Sequence, residues 1–275
     1  VTTIDDLVEP VESTDEAPVK DEVVEPMHDG ETDEMLAALL GRIGDISQVT
    51  KYTKALIFGQ PGAGKTVFSA TTPNTLIVDI ERGALSINNH PEIKKNAQFL
   101  EFRSVFQLEQ LITYLQQGNP AFDKYDTIVI DSYTALQARD LDEIVSTEAA
   151  KDASRNKFLP VGTDYNINTK HMQKIAADLR DIDKNIIVTC HVKEVKDEMT
   201  GIILKRPDLT PKLASSMNGI FDIVGYLSAD EDRRTLQCHP TRELAAKTRL
   251  GGLPPVIENP SFQMILDAKK KSLDS

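Results

Sequence analysis

Residues 55–66 read Ala-Leu-Ile-Phe-Gly-Gln-Pro-Gly-Ala-Gly-Lys-Thr. Ala55 to Phe58 is a short continuous apolar run, the pattern of a strand buried on both faces. From Gly59 the run becomes Gly-x-x-x-x-Gly-Lys-Thr, the spacing of a phosphate-binding loop between a strand and a helix. Gly62 and Gly64 let the backbone wrap around an anion with no Cβ in the way, so that its N–H groups point inward. A helix opening after Gly64 directs its amino-terminal partial charge at the same anion. Lys65 is placed for the β and γ phosphates of ATP, and Thr66 offers a hydroxyl to Mg²⁺. Gly59, Gln60, Pro61, Gly62, Ala63, Gly64, Lys65 and Thr66, with Val67 following, are therefore the candidate nucleotide-binding residues.

The rest of the chain supplies the sheet that such a loop needs. Apolar runs at 75–80, 98–102, 127–130 and 185–190 read as further strands, with helices expected over 105–117, 133–150 and 164–183. Residues 192–206 alternate around Thr200-Gly201 and predict a hairpin. Later strands are expected at 221–227 and 235–238, and a final helix over 263–273. Strands alternating with helices imply an α/β fold with a mostly parallel central sheet, filling residues 50–275.

The 275 residues are 40% hydrophobic, enough for a core, and lack tryptophan. The formal charge of −12 is concentrated at one end. Residues 1–40 hold 13 acids and one base, which leaves 30 acids and 30 bases in the remainder. The body is therefore neutral, and the global charge does not argue against nucleic acid as a ligand. Residues 1–33 combine dense acid with Pro10, Pro18 and Pro26 and are expected to be a disordered tail. Residues 34–49 form a linker in which a short amphipathic helix over 33–43 either packs on the body or binds a partner; packing is the preferred reading. Cys190 and Cys238 belong to no metal or disulfide pattern, as expected in a reducing cytoplasm. No apolar run reaches membrane-spanning length.

Three residues at predicted strand ends are candidates for the chemistry. Asp131 ends the run Thr127-Ile128-Val129-Ile130, where a carboxylate can order the Mg²⁺ shell; it could instead cap the next helix. Glu81, two residues beyond Asp79, is the candidate base that positions water, unless it merely pairs with Arg82. His191 follows Thr189-Cys190 and can sense the γ-phosphate and pass its state to the hairpin, or serve only as a cap.

Taken together, the loop, the Asp79/Glu81 pair, Asp131 and His191 resemble the RecA-like ATPases. Lys247-Thr248-Arg249 resembles the K-x-R element of that family. The resemblance implies that Lys247 and Arg249 act across a subunit boundary in a homo-oligomer, although an ordinary basic turn has the same composition. More narrowly, Ile130-Asp131-Ser132-Tyr133-Thr134, the helix before Thr189-Cys190-His191, and residues 247–252 with Pro254 and Pro255 resemble the phage RecA-like group linked to single-strand annealing. This likeness spans about residues 50–270. It implies a recombination ATPase, in the host cytoplasm if phage-encoded, that binds single-stranded DNA and cooperates with a single-strand DNA-binding protein. By position, Arg155, Lys157 and Phe158 in one loop and Lys193, Lys196, Lys205 and Arg206 in the hairpin would meet DNA; nearby acids allow the plainer reading of solvated loops. A helicase on the same core, an ATP-dependent scaffold that binds no DNA, and a small-molecule kinase are the alternatives.

Overall fold

The computed structural model describes residues 29–44, 52–231 and 233–273. Residues 1–28, most of the expected acidic tail, lie outside them. The chain divides into two compact units, residues 1–49 and 50–275. The first contains helix α1 (Asp29–Leu40), which starts earlier than its sequence pattern predicts and has Met35, Leu36, Leu39 and Leu40 exposed.

The second unit is an α/β fold. Its parallel strands are β1 (Lys54–Gly59), β2 (Thr75–Asp79), β3 (Ala97–Glu101), β4 (Thr127–Asp131), β5 (Asn185–Lys196) and β7 (Ile223–Asp230), and they lie in the order β7-β1-β5-β4-β2-β3. Antiparallel β8 (Arg233–Gln237) and β10 (Val256–Glu258) extend the β7 side, β9 (Lys247–Thr248) pairs with the start of β7, and β6 (Ile203–Pro207) pairs with β5. β1, β2 and β4 are buried along their whole length, which is why their sequences show no polar alternation.

Along β1 the pleat sends Leu56 and Phe58 to one side and Ala55 and Ile57 to the other. The first side is covered by α4 (Val105–Gln116), α5 (Tyr133–Lys151), α6 (Gly162–Arg180) and α7 (Pro211–Ile220). The second is covered by α2 (Lys65–Ser69) and α8 (Phe262–Leu273), where Phe68 and Phe262 meet edge to face at 6.2 Å. α3 (Pro91–Lys94) follows a 3₁₀ turn over Gly83–Asn89. Both cysteines are free, and burial pushes their thiols up to about 12, so neither is a reactive nucleophile.

The sequence pattern missed α7. Its buried residues are only Leu213, Ala214 and Met217, and its Ser-Ser-Met-Asn-Gly stretch looks like a loop. Pro211 at the first helical position supplies the start. The hairpin expected at 192–206 is present, but its first strand is not separate: β5 runs unbroken from the core to Lys196 and turns at Asp197 to Gly201.

A polar network joins α4, α5 and α6. Asn168 Nδ2 donates to Asp140 Oδ2 at 2.8 Å, and Gln137 Nε2 donates to Asn168 Oδ1 at 3.1 Å. His171 Nδ1 lies 2.6 Å from Asp140 Oδ1, and its Nε2 lies 3.0 Å from Glu109 Oε1. The hydrogen bond to Asp140 leads in holding the His171 pKa up at about 9, against an ordinary 6.5. Because the folded value exceeds the unfolded one, this stabilisation is complete below pH 6.5 and is lost as pH rises through about 9. Discounted for solvent screening at a partly exposed site, it is on the order of 2 kcal/mol, so Tm should fall by about 4–8 °C over that interval. In His171→Gln most of that pH slope should disappear, as read by thermal melts from pH 6 to pH 10.

Candidate functional site

The phosphate loop begins where β1 ends. Gly59 permits no side chain, because a Cβ there would lie 2.1 Å from the Leu227 carbonyl oxygen of neighbouring β7. Gly62 and Gly64 have φ of 82° and 91°, the left-handed region that glycine enters freely. The loop then turns into α2, which has only five residues. A helix this short adds little macrodipole, so the loop N–H groups and Lys65 must carry most of any anion binding. Lys65 Nζ donates to the carbonyls of Gly59 and Gln60 at 2.9 and 3.0 Å, holding the loop in its curve. Burial lowers the Lys65 pKa, opposed by the charges of Asp131 and Glu81.

The carboxyl ends of three strands converge beside the loop. In register, Asp79 is level with Asp131, and Gly59 is level with His191. Asp131 is only 5% exposed, yet both its oxygens have donors. Thr66 Oγ1 donates to Oδ2 and Thr189 Oγ1 to Oδ1, each at 2.5 Å. Burial is the largest influence on Asp131 and raises its pKa; the two hydroxyls oppose that. The helix-capping alternative for Asp131 is not what is seen, since Ser132 takes that job, its Oγ accepting from Ala135 N at 3.2 Å. The Asp131–Ser132 peptide bond is cis.

Glu81 does not pair with Arg82. Its Oε1 accepts from the Ser132 hydroxyl, and His191 Nε2 lies 3.1 and 3.2 Å from its two oxygens. The His191 bond leads in lowering the Glu81 pKa, and the same bond leads in raising that of His191. Asp79, by contrast, is occupied, accepting from the N–H groups of Gly83 and Ala84 at 2.8 and 3.1 Å. It shapes the turn that presents Glu81 and Gly83, and it does not line the cavity beside the loop.

Loop and carboxylates line one cavity of about 380 Å³, which also takes in Ser86, Asn89, His90, His191 and Arg234. Its chemistry suits a nucleotide with Mg²⁺. The glycines leave space where a Cβ would intrude, a lysine and an arginine offer positive charge, and the Thr66 hydroxyl beside Asp131 is an oxygen pair of the kind Mg²⁺ selects. No group of three or more His, Cys, Asp or Glu able to hold a metal exists among the described residues, so a cation here would depend on phosphate and water for its remaining ligands.

Other predicted residues lie apart from this cavity. Lys247 donates to the carbonyls of Asn218 and Phe221 at the end of α7. Arg249 Nη2 donates to the Gly219 carbonyl at 2.7 Å, and its Nη1 is 3.5 Å from Asp222. These contacts belong to the amino ends of the strands, where β9 joins Ile223 and Val224, so neither residue faces its own chain's loop. Arg155 is bound to buried Asp164 at 2.5 Å. Lys205 sits 5.3 Å over the Tyr226 ring, and Arg206 is half-buried. Lys193 lies 3.7 Å from Asp208 but is exposed, as are Lys196, Lys157 and Phe158; the Phe158 ring is 77% exposed, with Lys157 Nζ 5.0 Å above it.

Two participants escaped sequence reading. Thr189 carried a signal, being the one hydroxyl within an apolar run and level with the end of β4. Arg234 carried none, because Glu231-Asp232-Arg233-Arg234 looks like a solvated turn.

No helix among the described residues is long and apolar enough to cross a membrane. No curated protein matches the chain. The family model described as an AAA domain matches residues 51–250, the stretch that contains β1, the phosphate loop, Glu81, Asp131 and His191. With an α/β core, a glycine loop after its central strand and a carboxylate beside that loop, this chain belongs to the AAA domain family and has a P-loop ATPase-type fold.

Proposed function

We propose that the protein is a Mg²⁺-dependent ATPase of the RecA-like type that acts on single-stranded DNA, as a homo-oligomer, in phage recombination or strand annealing. The observation that carries this reading is the link between the nucleotide cavity and the hairpin. Glu81 is bonded to His191, and His191 lies within β5, which continues without a break into the exposed hairpin strand. A change at Glu81 therefore acts on one rigid element that ends in Lys193 and Lys196.

The second exposed element lies on the same side. Tyr133 is bonded to Met172, and Gln137 to Asn168, so α5 and α6 run antiparallel away from the strand ends. Their connection, with Lys157 and Phe158, and the first turn of α6, with Tyr165, lie beyond the carboxyl ends of the strands, as the hairpin does. Cations beside exposed aromatic rings fit phosphates and unstacked bases. Arg155, Lys205 and Arg206 are engaged or half-buried, and in this reading they hold the two elements in shape.

In the reaction, Lys65 leaves its two carbonyls for phosphate oxygens. Thr66 and Asp131 already form the oxygen pair that orders the cation's shell. Glu81, held ionised by His191 and oriented by Ser132, accepts from the attacking water. Mg²⁺, when bound, neutralises charge that builds up on the transferred phosphoryl group. Lys247 and Arg249 serve a neighbouring subunit's site only after release from the end of α7.

The test of this function is steady-state ATP hydrolysis with and without single-stranded DNA, in wild type and Lys65→Ala. DNA should raise wild-type turnover several-fold, and the variant should show neither basal nor stimulated activity. Hydrolysis indifferent to DNA, with no DNA retained by the nucleotide-bound protein, would overturn the reading. Replacing His191 with Gln should move the acid limb of kcat/KM upward, because Glu81 then loses the partner that holds its pKa low. Asp131→Asn should make nucleotide affinity insensitive to Mg²⁺, since an amide is a far weaker ligand for a hard cation than a carboxylate, as read by calorimetry with and without Mg²⁺.

A further inference from the structure

The hairpin of β7 and β8 meets the phosphate loop at two points. At one, the Leu227 carbonyl abuts Gly59; at the other, the Arg234 side chain lies against Gly64. A Cβ built on Gly64 would come within 2.9 Å of Arg234 Nε and 3.3 Å of its Cδ. Gly64 is required by its φ of 91°, and the lack of a Cβ there leaves room for the Arg234 side chain to rest against the loop.

The placement of Arg234 follows from strand alternation. Leu236 and Cys238 point into the core cluster that contains Ala63 and Phe68, beneath the loop. Arg234, two residues earlier on the same face, reaches past that core to the loop itself. Its backbone is fixed on both sides. It pairs with Ala229 of β7, and its carbonyl accepts from Asn259 N at 2.8 Å.

The guanidinium nevertheless has no hydrogen bond or ion pair to any described residue. An exposed cation with five donors thus lines, without a partner among the described residues, a cavity whose other wall is a glycine loop. Lys65 is bonded at Gly59 and Gln60, and Arg234 rests at Gly64, so the two cations bracket the loop. Planar guanidinium donors match phosphate oxygens bidentately.

We propose that Arg234 contacts the polyphosphate of a nucleoside triphosphate bound at the loop of its own chain. The proposal rests on the reading of the cavity as a nucleotide site, and it is independent of DNA. It makes β8 part of the nucleotide site and gives the chain a cis-acting arginine distinct from Lys247 and Arg249.

Binding of ATP and of inorganic tripolyphosphate, each with Mg²⁺, should be measured by calorimetry for wild type, Arg234→Ala, Arg234→Lys and Arg233→Ala. Arg234→Ala should weaken both ligands about tenfold or more, Arg234→Lys should recover only part of the loss for both, because an ammonium supplies the charge without the bidentate donors, and Arg233→Ala, on the opposite face, should match wild type. Circular dichroism melts of all four should coincide. Unchanged affinities in Arg234→Ala would overturn the proposal. So would weakened ATP with unaffected tripolyphosphate, which would place the guanidinium on the base or ribose. A wild type that binds neither ligand would remove the nucleotide reading and the proposal with it, an outcome separable from failure at Arg234 alone.

Discussion

A carboxylate at the end of a fully buried strand must find hydrogen-bond donors or give up its charge, and the site is organised by how Asp131 meets that demand. One donor, Thr66, comes from the end of the phosphate loop; the other, Thr189, comes from the adjacent strand. The two bonds tie β1's loop, β4 and β5 together at one level of the sheet. Neither hydroxyl is dispensable to the arrangement, because a buried oxygen left without a donor costs about 1–3 kcal/mol. Glu81 is held by the same logic one layer out, between Ser132 and His191, where partial exposure makes an ion pair tolerable.

The rest of the unit positions this cluster. Gly59 lets β1 run directly against β7, so the loop starts flush with the sheet. Asp79 is spent on the turn after β2, and that turn presents Glu81. On the other face, the network of Asp140, Asn168, Gln137 and His171 aligns α5 and α6, so that their connection projects beyond the strand ends. Polar networks of this kind specify one helix register where apolar packing alone would tolerate several.

Much of this was legible in the sequence, for physical reasons. The strands β1, β2 and β4 are buried on both faces, so their apolar runs carry no ambiguity, and Asp131, the polar residue that ends β4, marks a position facing the cavity, whereas Asp79 at the end of β2 is taken up by a turn. The loop was legible because its glycines answer local backbone requirements. The illegible parts depend on tertiary contact. The helix α7 is short and weakly patterned, and it is defined by what it packs on. Arg155 looked like a free cation until Asp164, nine residues on and buried, claimed it. Arg234 reads as a turn residue because only the sheet order brings β8 over a loop 170 residues earlier in the chain.

The unbroken course of β5 has a consequence for how the chain can change over evolutionary time. Thr189, His191 and Lys193 share one face of a single pleat, and Cys190, Val192 and Glu194 share the other. The nucleotide cavity and the projecting hairpin are therefore locked in parity. An insertion of one residue after His191 would leave every cavity contact in place and yet turn each hairpin side chain to the opposite face. An insertion of two would restore the faces and lengthen the projection by about 7 Å. The hairpin is thus free to vary in length by even steps and constrained against odd ones, a parity rule set by the pleat.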